Sequence, residues 1–179
     1  MPPSIVVVTG ASGAGKTATV EALHARRLEG VRCFHFDSIG VPTVEVMQRD
    51  HGGPERWQAW ATHEWLARLA DLGDGARVAV LDAQTRPSTV FAAPGAGAVW
   101  RAQVVLVDCL PEVRAARLLR RGQGDLATAR MDSWAAYLRG QADALALPII
   151  ETSGLTVAEA ADQLERIVRA MGDIAVPAA

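Results

Sequence analysis

A three-layer α/β sandwich around a five-stranded parallel sheet is the fold class this sequence predicts, and three observations predict it. Short strand-like runs recur at Ser4–Thr9, Val31–Phe36, Arg77–Leu81, Gln103–Val107 and Pro148–Ile150. Helical patterns fall between them, the alternation expected of parallel strands with helices on both faces. At 179 residues and 50% hydrophobic, the chain can bury one full core.

Taken in order, the first run, SIVVVT, is apolar through its interior and closed by Gly10, and Lys16 to Leu28 reads as a helix stopped at Gly30. After the second run, Gly52-Gly53-Pro54 opens a helical stretch from Glu55 to Leu72 carrying Trp57, Trp60 and Trp65 along one broad flank. These rings pack the core or line a substrate cleft, and Trp57 and Trp60 are the substrate-side candidates. The third run ends at Asp82. After the fourth, Pro111 to Arg121 is helical and sets Arg114, Arg117 and Arg121 on one face, either a solvated row or a phosphate clamp hinged at Gly122-Gln123-Gly124. Residues 1–173 are expected to form a single domain and 174–179 a flexible tail.

The net charge of -2 gives no basic excess for a nucleic-acid backbone or a membrane surface, so a small-molecule partner is expected. The apolar runs are too short to cross a bilayer, and a strand-like run beginning by Ser4 leaves no room for a secretory signal, which predicts a cytoplasmic protein. Cys33 and Cys109 lie in or at the end of apolar runs and read as buried thiols.

The stretch "VTGASGAGKT" fits two cofactor loops. Read from Gly13 it is G-x-G-x-x-A, a dinucleotide turn, with Asp37 at a spacing that suits a ribose contact. That turn requires its first glycine directly after the strand, whereas Gly13 stands four residues beyond Thr9. The opening also looks like that of short-chain dehydrogenases, but Lys16 replaces their last glycine, and Tyr137 is followed four positions on by Gln141 rather than lysine. Read from Gly10 it is G-x-x-x-x-G-K-T, and this reading explains every fixed position. Backbone N–H groups from Gly13 to Thr17 converge on phosphates at a helix N-terminus, and Lys16 bridges the β and γ phosphates as a point charge. Thr17 offers its hydroxyl to Mg²⁺, and Asp82 is the acidic group expected to hold the ion's water shell. Of the 18 basic residues only Lys16 is a lysine, which fits a position where arginine would not serve. The chain contains no asparagine, so the Asn-Lys-x-Asp reader of guanine-specific switch proteins is excluded.

These residues resemble the phosphate-loop small-molecule and nucleoside-monophosphate kinases, among them adenylate, shikimate and gluconate kinases and chloramphenicol phosphotransferase. The resemblance runs over most of the chain, with Gly10 to Thr17 its most specific part. It implies a nucleotide set of Gly10, Ser12, Gly13, Ala14, Gly15, Lys16, Thr17 and Ala18, joined by Arg117 on the base side and by Thr152, Ser153 and Gly154 in the loop after the last strand. In "HFDSIG" it makes Asp37 the acceptor contact and candidate base; in "ARLLRRGQGDL" it makes Arg121 the phosphate-side arginine of a short lid at about 117–130, with Arg130 a second clamp. An acceptor-binding insertion is expected at about 38–75.

The resemblance departs where the third strand ends in Asp82-Ala83 instead of Asp-Gly, and Gln84 and Arg86 beyond it are read as acceptor contacts. The expected activity is ATP- and Mg²⁺-dependent phosphoryl transfer to a hydroxyl of a small molecule, by a monomer or homodimer. A nucleoside-monophosphate kinase and a nucleotide-binding regulatory ATPase without an acceptor are the alternatives.

Overall fold

The computed structural model describes residues 2–73, 75–97 and 99–173, so the tail expected at 174–179 lies outside the described residues. Strand β1 (Ser4–Thr9) runs into helix α1 (Lys16–Ala25), and β2 (Val31–His35) follows. A single 3-10 turn, Phe36–Ile39, then leads into α2 (Val44–His51) and α3 (Pro54–Ala70). Next come β3 (Val78–Asp82), α4 (Pro87–Phe91), β4 (Ala102–Asp108) and α5 (Pro111–Arg120). A second 3-10 turn, Gly124–Leu126, precedes α6 (Ala129–Ala144), β5 (Ile149–Glu151) and α7 (Val157–Gly172). The strands form one parallel sheet in the order β2-β3-β1-β4-β5.

Successive residues of a strand point to opposite faces, and the cores follow that alternation. Ile5 and Val7 of β1 pack with Ala79, Leu81 and Val104 against Trp57, Trp65, Leu66 and Leu69 of α3. Val6 and Val8 pack with Val78, Val80, Val105 and Val107 against Val20 and Leu23 of α1 and Leu164 and Val168 of α7. Both faces are covered, which is why the strands read as apolar runs rather than alternating ones.

The second strand ends at His35, one residue short of its expected end. Phe36 opens the turn instead, and its carbonyl accepts a hydrogen bond from the buried Trp65 indole at 2.9 Å. Of the three tryptophans on α3, Trp57 and Trp65 are buried and Trp60 is 47% exposed. At about 100° per residue, three positions are enough to turn Trp60 out of the core. No helix among the described residues is long and apolar enough to cross a membrane.

Parallel pairing brings the carboxyl ends of the strands to one edge, the edge where open α/β sheets bind ligands. The register sets Asp82 opposite both Val8 and His35, so the end of β3 sits beside the loop that leaves β1.

Candidate functional site

The loop from Gly10 to Thr17 depends on glycines at two close approaches. A Cβ on Gly10 would stand 2.1 Å from the Val107 carbonyl oxygen, so no side chain is tolerated there. A Cβ on Gly13 would stand 2.9 Å from side-chain carbons of both Arg114 and Leu118, at a left-handed φ of 85°. The loop is thereby pressed between β4 and α5, with the amide-rich start of α1 facing outward.

Lys16 and Thr17, at the first positions of α1, open into a chamber of about 380 Å³. Asp37, Asp82, Gln84 and Arg121 line the same chamber. Thr17 Oγ1 donates to Asp82 Oδ2 at 2.6 Å, and His35 Nδ1 lies 3.4 Å from the same oxygen. Ser12 Oγ donates to Gln84 Oε1 at 3.2 Å. Lys16 Nζ reaches the Ala11 carbonyl at only 3.4 Å. Burial pushes the lysine below its ordinary pKa; the carboxylates of Asp82 and Asp37 oppose that shift, and Arg121 adds to it. An amine so desolvated, with one long hydrogen bond, is suited to receive an anion.

A second cleft of about 300 Å³ adjoins the chamber, sharing Gly15 and Arg121 with it. Ala18, Arg117 and Thr152 line this cleft, joined by Arg120, Leu155 and Val157. Arg117 is fixed there, donating from Nη1 to Thr152 Oγ1 at 2.8 Å and to the Ala14 carbonyl at 3.2 Å, and from Nη2 to the Thr152 carbonyl at 2.8 Å. Thr152 Oγ1 in turn reaches the Ala14 carbonyl at 2.7 Å. Ser153 is committed elsewhere: its hydroxyl accepts from the Leu110 N–H at 2.7 Å and donates to Glu151 at 2.5 Å. Ser153 and Gly154 are not among the residues lining the cleft.

A third cleft, of about 710 Å³, also adjoins the chamber. Gln84 and Leu126 line both, so the two spaces adjoin there. Trp57, Gln84 and Arg86, read from the sequence as acceptor-side residues, line this cleft, and Trp60 does not; Arg130, expected as a second clamp on the phosphates, lines this cleft and not the chamber. Trp60 packs instead against the His51 ring, tilted at 44° with a centroid distance of 4.8 Å. The loop carrying Gln84 and Arg86 is anchored by threonines that sequence reasoning missed. Thr9 Oγ1 donates to the Thr85 carbonyl at 2.6 Å, Thr85 and Thr62 share a hydroxyl contact at 2.9 Å, and Gln58 Nε2 donates to the Gln84 carbonyl at 2.5 Å. Thr62, polar within the buried stripe of α3, was the available signal.

The arginine row of α5 is corrected at one position. Arg114 is buried, neither solvated nor part of a clamp: its Nη1 donates to the Cys109 carbonyl at 3.3 Å and its Nη2 pairs with Asp132 at the start of α6 at 2.5 Å. The α5 face reads as a solvated row only while its partners, the phosphate loop and α6, are out of view. Cys33 and Cys109 are both free thiols, and burial raises Cys33 to about 11.

No family model matches the chain, and no curated protein matches it in sequence. Solved structures do match over nearly the full length. The tunicamycin resistance protein of Deinococcus radiodurans is 20% identical, with a TM-score of 0.67 and coverage of 93% of this chain and 95% of that one. A gluconokinase from Sinorhizobium meliloti 1021 is 21% identical, with a TM-score of 0.60 and coverage of 94% and 95%. The shikimate kinase of Acinetobacter baumannii, solved in complex with shikimate, is 15% identical, with a TM-score of 0.54 and coverage of 94% and 92%. The chain therefore has the fold of the phosphate-loop small-molecule kinases, with their five-stranded parallel sheet.

Proposed function

We propose that this chain is an ATP- and Mg²⁺-dependent phosphotransferase whose acceptor is a hydroxyl group of a small molecule. One observation carries the reading: Lys16, Thr17, Asp37, Asp82 and Arg121 meet in a single chamber at the carboxyl edge of the sheet, adjoined by two clefts that we assign to the base and to the acceptor.

The donor set fits the metal. Magnesium is usually held by one or two carboxylates together with substrate phosphates, and the Thr17 hydroxyl beside the Asp82 carboxylate supplies the protein's share. Bound there, the ion would offset negative charge on the β and γ phosphates.

Lys16 and the N–H groups from Gly13 to Thr17 hold and orient the phosphates. Arg121, exposed where the base cleft meets the chamber, adds positive charge over the group being transferred. Arg117, locked to Thr152 and Ala14, builds a wall of the base cleft. Asp37, exposed in the chamber, takes the proton of the acceptor hydroxyl. As that proton leaves, the hydroxyl oxygen bonds to the γ-phosphorus, the bond to the β–γ bridging oxygen breaks, and ADP departs.

The test is a screen of hydroxylated compounds for ADP release, with calorimetry of Mg·ATP binding beside it. Binding of Mg·ATP and stoichiometric phosphate-ester product are the expected results; no uptake of Mg·ATP by the intact protein overturns the reading.

A further inference from the structure

The acceptor cleft has a composition that bears on what enters it. At about 710 Å³ it lies within the roughly 300–1,000 Å³ range of sites for drug-sized ligands. One wall is Met47 of α2 and Trp57 of α3, each only 6% exposed. The facing wall is Met131, Trp134 and Tyr137 of α6, with the last two rings stacked at 5.5 Å and 17°. Thioethers and ring faces of this kind favour a flat apolar body.

The charges in the lining cancel. Arg86 and Arg130 are matched by Glu55 and Asp125. Arg86 is also already engaged: it pairs with Glu55 at 2.9 Å, and its guanidinium carbon lies 5.3 Å from the Trp134 ring centre and 5.9 Å from that of Tyr137. An anionic acceptor would give up hydration to a lining that offers no net positive charge in return, an unfavourable exchange. Gln84 and Leu126 border both spaces, so an acceptor whose body lies in the cleft would direct its hydroxyl arm past them toward the chamber that holds Asp37.

We propose that the acceptor is an uncharged molecule with an apolar, ring-bearing body joined to its reactive hydroxyl, and not a small sugar acid or a nucleoside monophosphate. The inference rests on the phosphotransferase reading above for the reaction, and on the cleft alone for the class of ligand.

The experiment titrates the intact protein with uncharged aryl glycosides, and in parallel with gluconate, shikimate and AMP, following tryptophan fluorescence and then phosphate-ester formation with Mg·ATP. Aryl glycosides are expected to bind at least tenfold more tightly than any of the three anions, and to be phosphorylated in preference to them. Trp134→Ala is expected to weaken aryl glycoside binding at least tenfold. Met131→Glu, which adds a charge on the half-buried rim without hollowing the core, is expected to do the same and covers the case in which Trp134→Ala does not fold. Tighter binding of an anion, no aryl glycoside binding at millimolar concentration, or unchanged binding in a folded variant overturns the inference. Mg·ATP calorimetry separates the two levels: a protein that binds aryl glycosides but not Mg·ATP keeps the ligand class and loses the reaction.

Discussion

Thr17 and Asp82, 65 positions apart in the chain, meet through a 2.6 Å hydrogen bond at the carboxyl edge of the sheet. The bond turns the hydroxyl proton toward the carboxylate and leaves the oxygen's lone pairs facing the chamber. Asp82→Asn keeps the shape of this pair but removes its charge. It should lower ATP-dependent turnover about a hundredfold or more, a loss of roughly 3 kcal/mol in transition-state stabilisation. Calorimetry with and without Mg²⁺ checks the cause: the metal's enhancement of ATP affinity should shrink, while metal-free ATP binds as before.

Lys16→Ala should remove measurable ATP binding, and Lys16→Arg should not restore it. The amine acts as a compact point charge with one long hydrogen bond to a backbone carbonyl, whereas a guanidinium presents its donors in a rigid planar fork. Equilibrium dialysis with labelled ATP on both variants, with melting curves as a folding control, reads the result.

Asp37→Asn should leave Mg·ATP affinity within about twofold and lower turnover of the acceptor by about 10²–10⁴, the range of general-base contributions. Single-turnover kinetics at saturating ATP separate the chemical step from binding. Full-rate transfer by this variant would remove Asp37 from the mechanism.

Thr152→Val deletes a hydroxyl that serves Arg117, the Ala14 carbonyl and the Asp108 carbonyl together. Leaving buried partners unpaired should cost about 1–3 kcal/mol, measured by urea unfolding. ATP affinity should fall with it, because Arg117 loses one of the oxygens that lock its position.

Acid should loosen the joint between α1 and α7. Burial raises the Glu165 pKa, but the hydrogen bonds and charges of Arg26 and Arg169 outweigh burial and hold the carboxyl below its ordinary value. A depressed carboxylate stabilises the fold fully above its unfolded pKa of about 4.3, and that contribution is lost as pH falls through the lower folded value. Glu165→Gln should therefore melt earlier at neutral pH and lose less stability than the parent between pH 5 and pH 3, as followed by calorimetry.

The fold and the phosphate loop were legible because their signals are local. Buried parallel strands announce themselves as apolar runs, and Gly10 to Thr17 carries its geometry within eight consecutive residues. The cleft proposed for the acceptor was legible only in pieces. Gln84, Arg86 and Trp57 were read individually, but Trp134 and Tyr137 come from α6, and nothing local ties that helix to α3. Arg114 went astray for the same reason. Its helix spacing matches Arg117 and Arg121, and only Gly13, the Cys109 carbonyl and Asp132, brought together by tertiary packing, bury it. Trp60 shows the limit of spacing on a helix, since a flank wide enough to hold three rings also spans the boundary between core and solvent.

Gly13 gives the architecture a further consequence. Its bare α-carbon lies against Arg114, and Arg114 is pinned to Asp132, two residues before the Trp134 that lines the 710 Å³ cleft. One buried guanidinium is thus the keystone between the glycine loop and the helix that walls the larger cleft. A methyl group added at Gly13 would dislodge that keystone, and its damage would register in the distant α6 wall as well as in the loop beside it.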